Sequence, residues 1–150
     1  MRSAVLLLAM LLVVPGLGAP APASVRAGSN GGPCFTVDAA AERADGTAQF
    51  RAVTVVDVAA DAVAWQMALP GGRSFALMHT VCIPYAGRVP ALPQTSAAEL
   101  VAGRVYRVVL AVHNGPHPQA PRAYTAQFCL AGTARQVRQL AAGAACPASP

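Results

Sequence analysis

Four cysteines, Cys34, Cys82, Cys129 and Cys146, restrict this chain more than any other feature of its sequence. Their number is even, and the closest pair, Cys129 and Cys146, is still far apart in the chain. Structural zinc sites and thioredoxin-type redox motifs rely on close pairs such as C-x-x-C, so neither chemistry fits. The pattern reads instead as two disulfides formed in an oxidising compartment, with three connectivities open. Cys82–Cys129 with Cys34–Cys146 is favoured. Cys34 and Cys146 lie near the two ends of the domain, and chain termini often meet. Cys82 and Cys129 each close a predicted strand. Cys34–Cys82 with Cys129–Cys146 stays open as the alternative.

The N-terminus agrees with that compartment. Arg2 supplies a positive charge, Ala4 to Val14 are continuously apolar, Pro15-Gly16 interrupts, and Ala21-Pro22-Ala23 offers small residues at alternate positions. This is the secretory pattern, and it predicts a signal peptide over 1–23. The apolar run is shorter than the ~20 residues of a membrane-spanning helix, and no longer one follows. No cysteine directly follows the run, which argues against a lipid anchor. The polar, glycine-rich stretch 24–33 (SVRAGSNGGP) predicts a flexible leader, and 34–150 a single domain in the periplasm or outside the cell.

All eleven basic residues are arginine, against six acidic ones, for a net charge of +5. Mild basicity favours a protein or an anionic envelope surface as partner. The arginines are dispersed and aromatics make up only 5% of the chain, so nucleic-acid binding is excluded as a class.

From Cys34 onward the hydrophobic pattern has period two. Ala48 to Val58 is rich in β-branched residues, with Phe50, Thr54 and Val56 expected on one face. Val63, Trp65, Met67 and Leu69 alternate with Ala64, Gln66 and Ala68. Pro70 to Arg73 read as the turn of a hairpin, with 74–81 as its returning strand. Tyr106, Val108, Leu110 and Val112 form the next apolar face, and Tyr124, Ala126 and Phe128 the last. Residues 38–45 suit either a short helix or a hairpin arm turning at Asp45-Gly46. Residues 134–142 suit a helix or an edge strand. Short strands with regularly spaced turns predict an all-β fold, an antiparallel β-sandwich or a squashed barrel, with a small sandwich of immunoglobulin-like or Greek-key type, stapled by the two disulfides, favoured. Trp65 on a central strand is similar to the buried tryptophan of immunoglobulin-like sandwiches, an architectural likeness that carries no function.

Candidate chemistry is sparse. His113 and His117 flank a proline-containing loop (HNGPH), and with His79 beside Met78 they could form a copper or zinc site if the loop curls. Gly72-Arg73-Ser74-Phe75-Ala76 lacks the second glycine of a nucleophile elbow and sits in a predicted hairpin, so Ser74 reads as a turn serine. The six carboxylates show no pairing of the kind glycoside hydrolysis needs. Two proline-rich loops, 84–93 and 116–121, carry Tyr85, Arg88, His117 and Arg122, and stiff loops on a rigid scaffold suit binding. The sequence therefore favours a non-catalytic binding or structural protein that needs no cofactor. A metal-binding protein or small secreted enzyme using His79, His113 and His117 is the alternative.

Overall fold

The computed structural model describes residues 20–87, 89, 92–113 and 120–148. Among the described residues the fold is mostly β, with one short helix and two disulfides. Where strand spacing predicted an immunoglobulin-like or Greek-key sandwich, the described strands join into one curled, half-barrel sheet. The elements are β1 (Ala21–Ala27), β2 (Pro33–Val37), α1 (Ala39–Asp45), β3 (Ala48–Asp57), β4 (Ala62–Ala68), β5 (Phe75–Leu77), β6 (Ile83–Pro84), β7 (Val105–Val112), β8 (Ala123–Ala131) and β9 (Gln136–Leu140). Their order across the sheet is β4-β3-β7-β8-β1-β2-β6, with β5 also on β3 and β9 also on β8.

The alternation of β7 and β8 survives folding intact: Tyr106, Val108, Leu110 and Val112 are buried, as are Tyr124, Ala126 and Phe128. In β3 the face changes part-way. Phe50 pairs with Val112 and Ala52 with Ala111, so Arg51 is an extra residue opposite β7. Such a bulge shifts the pleat by one position. Val53, Val55 and Asp57 therefore point inward, and Thr54 and Val56, expected in the core, are only partly buried. A second bulge at Ala64 lies between the pairs Val55↔Trp65 and Val56↔Val63. It leaves Trp65 and Met67 in the core and turns Val63 out to 54% exposure.

The hairpin expected at Pro70 to Arg73 does not form. The turn is present, with the Arg73 N–H donating to the Pro70 carbonyl at 3.0 Å. It closes a short excursion, after which β5 rejoins β3 (Phe50↔Phe75, Ala48↔Leu77) along the edge that β4 occupies further on. Thus β4 and β5 are one interrupted strand, and period-two patterning cannot tell which neighbour a strand will choose. Residues 38–45 resolve as Asp38 capping α1: its carboxylate accepts from the N–H groups of Ala40 and Ala41 at 2.8 and 3.2 Å. Within 134–142, the edge strand β9 forms rather than a helix.

Residues 24–27, expected as part of a flexible leader, belong to β1, and the strand begins already at Ala21. Ala21 and Pro22 run parallel to Tyr124 and Thr125 of β8, and the strand then pairs antiparallel with β2. β9 occupies the same edge of β8 further along, so β1 and β9 part like a split seam. The side-chain amide of Gln139 fills the split. It accepts from the Val25 N–H at 2.8 Å and donates to the Ala23 carbonyl at 3.1 Å, standing in for two ladder bonds. Gln139→Leu leaves both backbone groups unpaired and should cost about 2 kcal/mol in urea unfolding. A loss near zero would show that water satisfies them instead.

The disulfides are Cys34–Cys82 and Cys129–Cys146, which corrects the favoured pairing of Cys82–Cys129 with Cys34–Cys146. The reason lies in strand neighbours. Cys34 on β2 sits opposite Pro84 of β6, two residues after Cys82. Cys129 on β8 sits opposite Arg138 of β9, whose strand leads into the Cys146 segment. The argument from meeting termini fails because β1, ahead of Cys34, takes the place beside β8.

Candidate functional site

The curl brings the two ends of the sheet together, and Tyr85 joins them. Immediately after β6, Tyr85 donates its backbone N–H to the Pro33 carbonyl at 2.9 Å. Its ring meets Trp65 of β4 edge-on, with centroids 5.4 Å apart. Its hydroxyl reaches the carbonyls of Ala98 at 2.7 Å and Ala64 at 3.2 Å. The outer edge of β4 is itself covered by the extended segment around 93–98. There the N–H groups of Ala68, Thr95 and Ala98 find the carbonyls of Pro93, Gln66 and Ala64 at 3.1, 2.9 and 2.8 Å. This covering protects an edge that would otherwise template intermolecular pairing.

Burial, with a smaller contribution from the neighbouring Tyr106, pushes the Tyr85 hydroxyl up to about 12. Burial also raises Tyr124, helped by Asp45 and Glu42. A raised tyrosine favours its neutral form in the folded state, so its contribution to stability is complete below pH ~10 and is lost as pH climbs through the folded value. Melting temperature should therefore fall between about pH 10 and 12, and Tyr85→Phe should flatten that decline. An unchanged slope in the variant would place the effect elsewhere.

Beside Tyr85 lies a groove of about 510 Å³. Its floor is apolar, from Leu100 and Leu130, each 4% exposed. One wall is the β1–β2 turn, tied by Gly28 N–H to the Gly32 carbonyl at 2.8 Å and by the Asn30 side chain accepting from Gly32 N–H at 3.0 Å. The opposite wall is the β8–β9 turn, ending in Arg135. Arg135 takes a left-handed backbone (φ 53°), a conformation that side-chain-bearing residues rarely adopt. Its guanidinium donates to the Leu100 carbonyl at 2.6 Å and to the Glu99 carboxylate at 3.4 Å. Those two bonds leave further donors of its five along the groove rim.

The predicted site residues are only partly assembled here. Tyr85 lines the groove, held by its own bonds. Arg122 is exposed elsewhere, its carbonyl accepting from the Val112 N–H at 3.1 Å where β7 meets β8. Arg88 and His117 lie outside the described residues. His79 is bound to α1: the Glu42 carboxylate lies 2.6 Å from its ring Nδ1 and accepts from its backbone N–H at 2.8 Å. That backbone N–H bond and, next, the ring hold the Glu42 carboxyl below its usual range. His113 lines a different cleft of about 310 Å³ with Asp45, Thr47 and Tyr124. Among the described residues no group of three His, Cys, Asp or Glu side chains could hold a metal ion.

Asp57 and Arg104 form another pair at the end of β3. Arg104 Nη1 donates to Asp57 Oδ2 at 2.8 Å, and Asp57 Oδ1 accepts from Ala59 and Ala60 N–H at 3.1 and 3.2 Å. The Arg104 bond is the main cause lowering the Asp57 carboxyl, and the pair secures the β3–β4 turn.

Glu99 and Arg135 were missed in the sequence. They are distant in the chain, and no local pattern announces that two loops will share one groove. The chain matches no protein-family model, no curated protein and no solved structure.

Proposed function

We propose that this is an exported, non-catalytic binding or structural protein of the cell envelope or extracellular space, engaging its partner along the Tyr85–Arg135 groove. The observation that carries the reading is Arg135. Its guanidinium lies at the groove rim, beside a floor formed by Leu100 and Leu130. The apolar floor would bury a partner's side chain, while the remaining guanidinium donors would meet a carboxylate or phosphate oxygen. This suits a protein or an anionic envelope polymer.

The placement of the other polar groups supports binding over catalysis. The Tyr85 hydroxyl, the Glu42–His79 pair and the Asp57–Arg104 pair are each engaged in holding the fold together. The two disulfides are compatible with an oxidising periplasmic or extracellular location.

Capture from the source organism's envelope fraction tests the reading, comparing the wild-type protein with Arg135→Gly. Glycine relieves the backbone but takes the guanidinium from the Leu100 carbonyl, two effects of opposite sign on stability, so recovery is compared at a temperature where circular dichroism shows both proteins folded. Partner recovery should drop about 30-fold, as expected for an interfacial arginine worth ~2 kcal/mol. Equal recovery by both proteins would remove the groove from the account.

A further inference from the structure

We propose that the export leader is removed upstream of β1, at the Gly18–Ala19 bond, so that the mature chain keeps Ala21–Ala23 as structural residues. The inference rests on the export reading above and fixes where processing occurs. Signal peptidases require small residues at the last and third-last leader positions. Three bonds near the end of the leader meet that demand: Gly18–Ala19, Ala21–Pro22 and Ala23–Ser24.

The fold separates them. Ala21 and Ala23 are 9% and 1% exposed, and both belong to the core. Ala21 and Pro22 supply the parallel pairing with Tyr124 and Thr125 of β8, and Ala23 pairs with Val37 of β2. The Pro22 carbonyl accepts from the N–H of Asp38, the cap of α1, at 3.2 Å, and the Ala23 carbonyl accepts from Gln139. Scission after Ala23 would strip every one of these contacts. It would also set a new α-ammonium on Ser24, which faces Thr36, 1% exposed, across the β1–β2 ladder. A charge set beside that buried residue would lose part of its solvation. Scission after Ala21 removes the Tyr124 pairing and requires attack at an amide whose nitrogen belongs to proline, with fixed φ and no N–H. Only the Gly18–Ala19 bond leaves β1 whole.

The test is export of the full 150-residue chain from a bacterial host, followed by intact mass and N-terminal sequencing of the secreted or periplasmic product. A processed product starting at Ala19 sustains the inference, and a start at any other residue overturns the placement. A product starting at Pro22 or later overturns it while leaving export intact. An unprocessed Met1 overturns it together with the export reading. Gly18→Tyr provides a second measurement that does not touch β1. Processed product should be lost and precursor should accumulate. Unchanged release of a chain starting at Ser24 would again overturn the placement.

Discussion

Replacing Cys34 and Cys82 together by alanine should lower the free energy of unfolding by about 4 kcal/mol, the chain-entropy value for a loop of this length. The bridge spans a sequence separation of 48, against 17 for Cys129–Cys146, for which the same reasoning gives about 3 kcal/mol. It has a further structural task. β6 is a two-residue strand held by only two register pairs to β2, and Tyr85 follows it directly. Without the bridge, the segment that joins the two ends of the curled sheet is anchored by a handful of hydrogen bonds. The double variant should therefore lose stability and also open the Trp65–Tyr85 contact, visible as a change in near-ultraviolet circular dichroism before the main transition. Loss of stability confined to one cooperative transition, with the aromatic signal intact until then, would mean that Tyr85 holds its place unaided.

Trp65→Ala is the second large effect. Trp65 is fully buried on β4, and its ring is the surface against which Tyr85 closes the curl. Deleting a buried aromatic side chain costs about 3–5 kcal/mol, from lost transfer energy and the cavity left behind. A domain of this kind holds only ~5–15 kcal/mol in total, so the variant should lose a large share of its stability. Trp65→Phe keeps most of the volume and should recover more than half of the loss in urea titrations. If alanine at position 65 cost less than ~1 kcal/mol, the aromatic closure could not be what holds the sheet curled.

What could be read in the sequence was the local pleat. Alternation located β7 and β8 and put Trp65 and Met67 inside, because period two is a property of a strand alone. It failed wherever one residue was inserted against a neighbour. Arg51 and Ala64 each shift the register, and nothing at either position distinguishes a bulge from a continuing strand. Partner choice was equally hidden: β5 answers to β3 rather than β4, and β1 was masked by a polar, glycine-rich neighbourhood that looked like a leader. The disulfide pairing followed from those partner choices, so the wrong topology led to the wrong pairing. In the groove, Tyr85 stood out as an aromatic on a proline-rich loop. Glu99 and Arg135 did not, since their meeting depends on how far the sheet curls.

The central claim is a curled sheet whose two sulfur bridges each join structural neighbours, β2 to the start of β6 and β8 to the segment beyond β9. Digestion after arginine without reduction tests it directly, because arginines separate all four cysteines into different peptides. Mass spectrometry should find 27–43 linked to 74–88, and 123–135 linked to 139–150. Linkage of 74–88 to 123–135, or four free thiols in native material, would contradict the account.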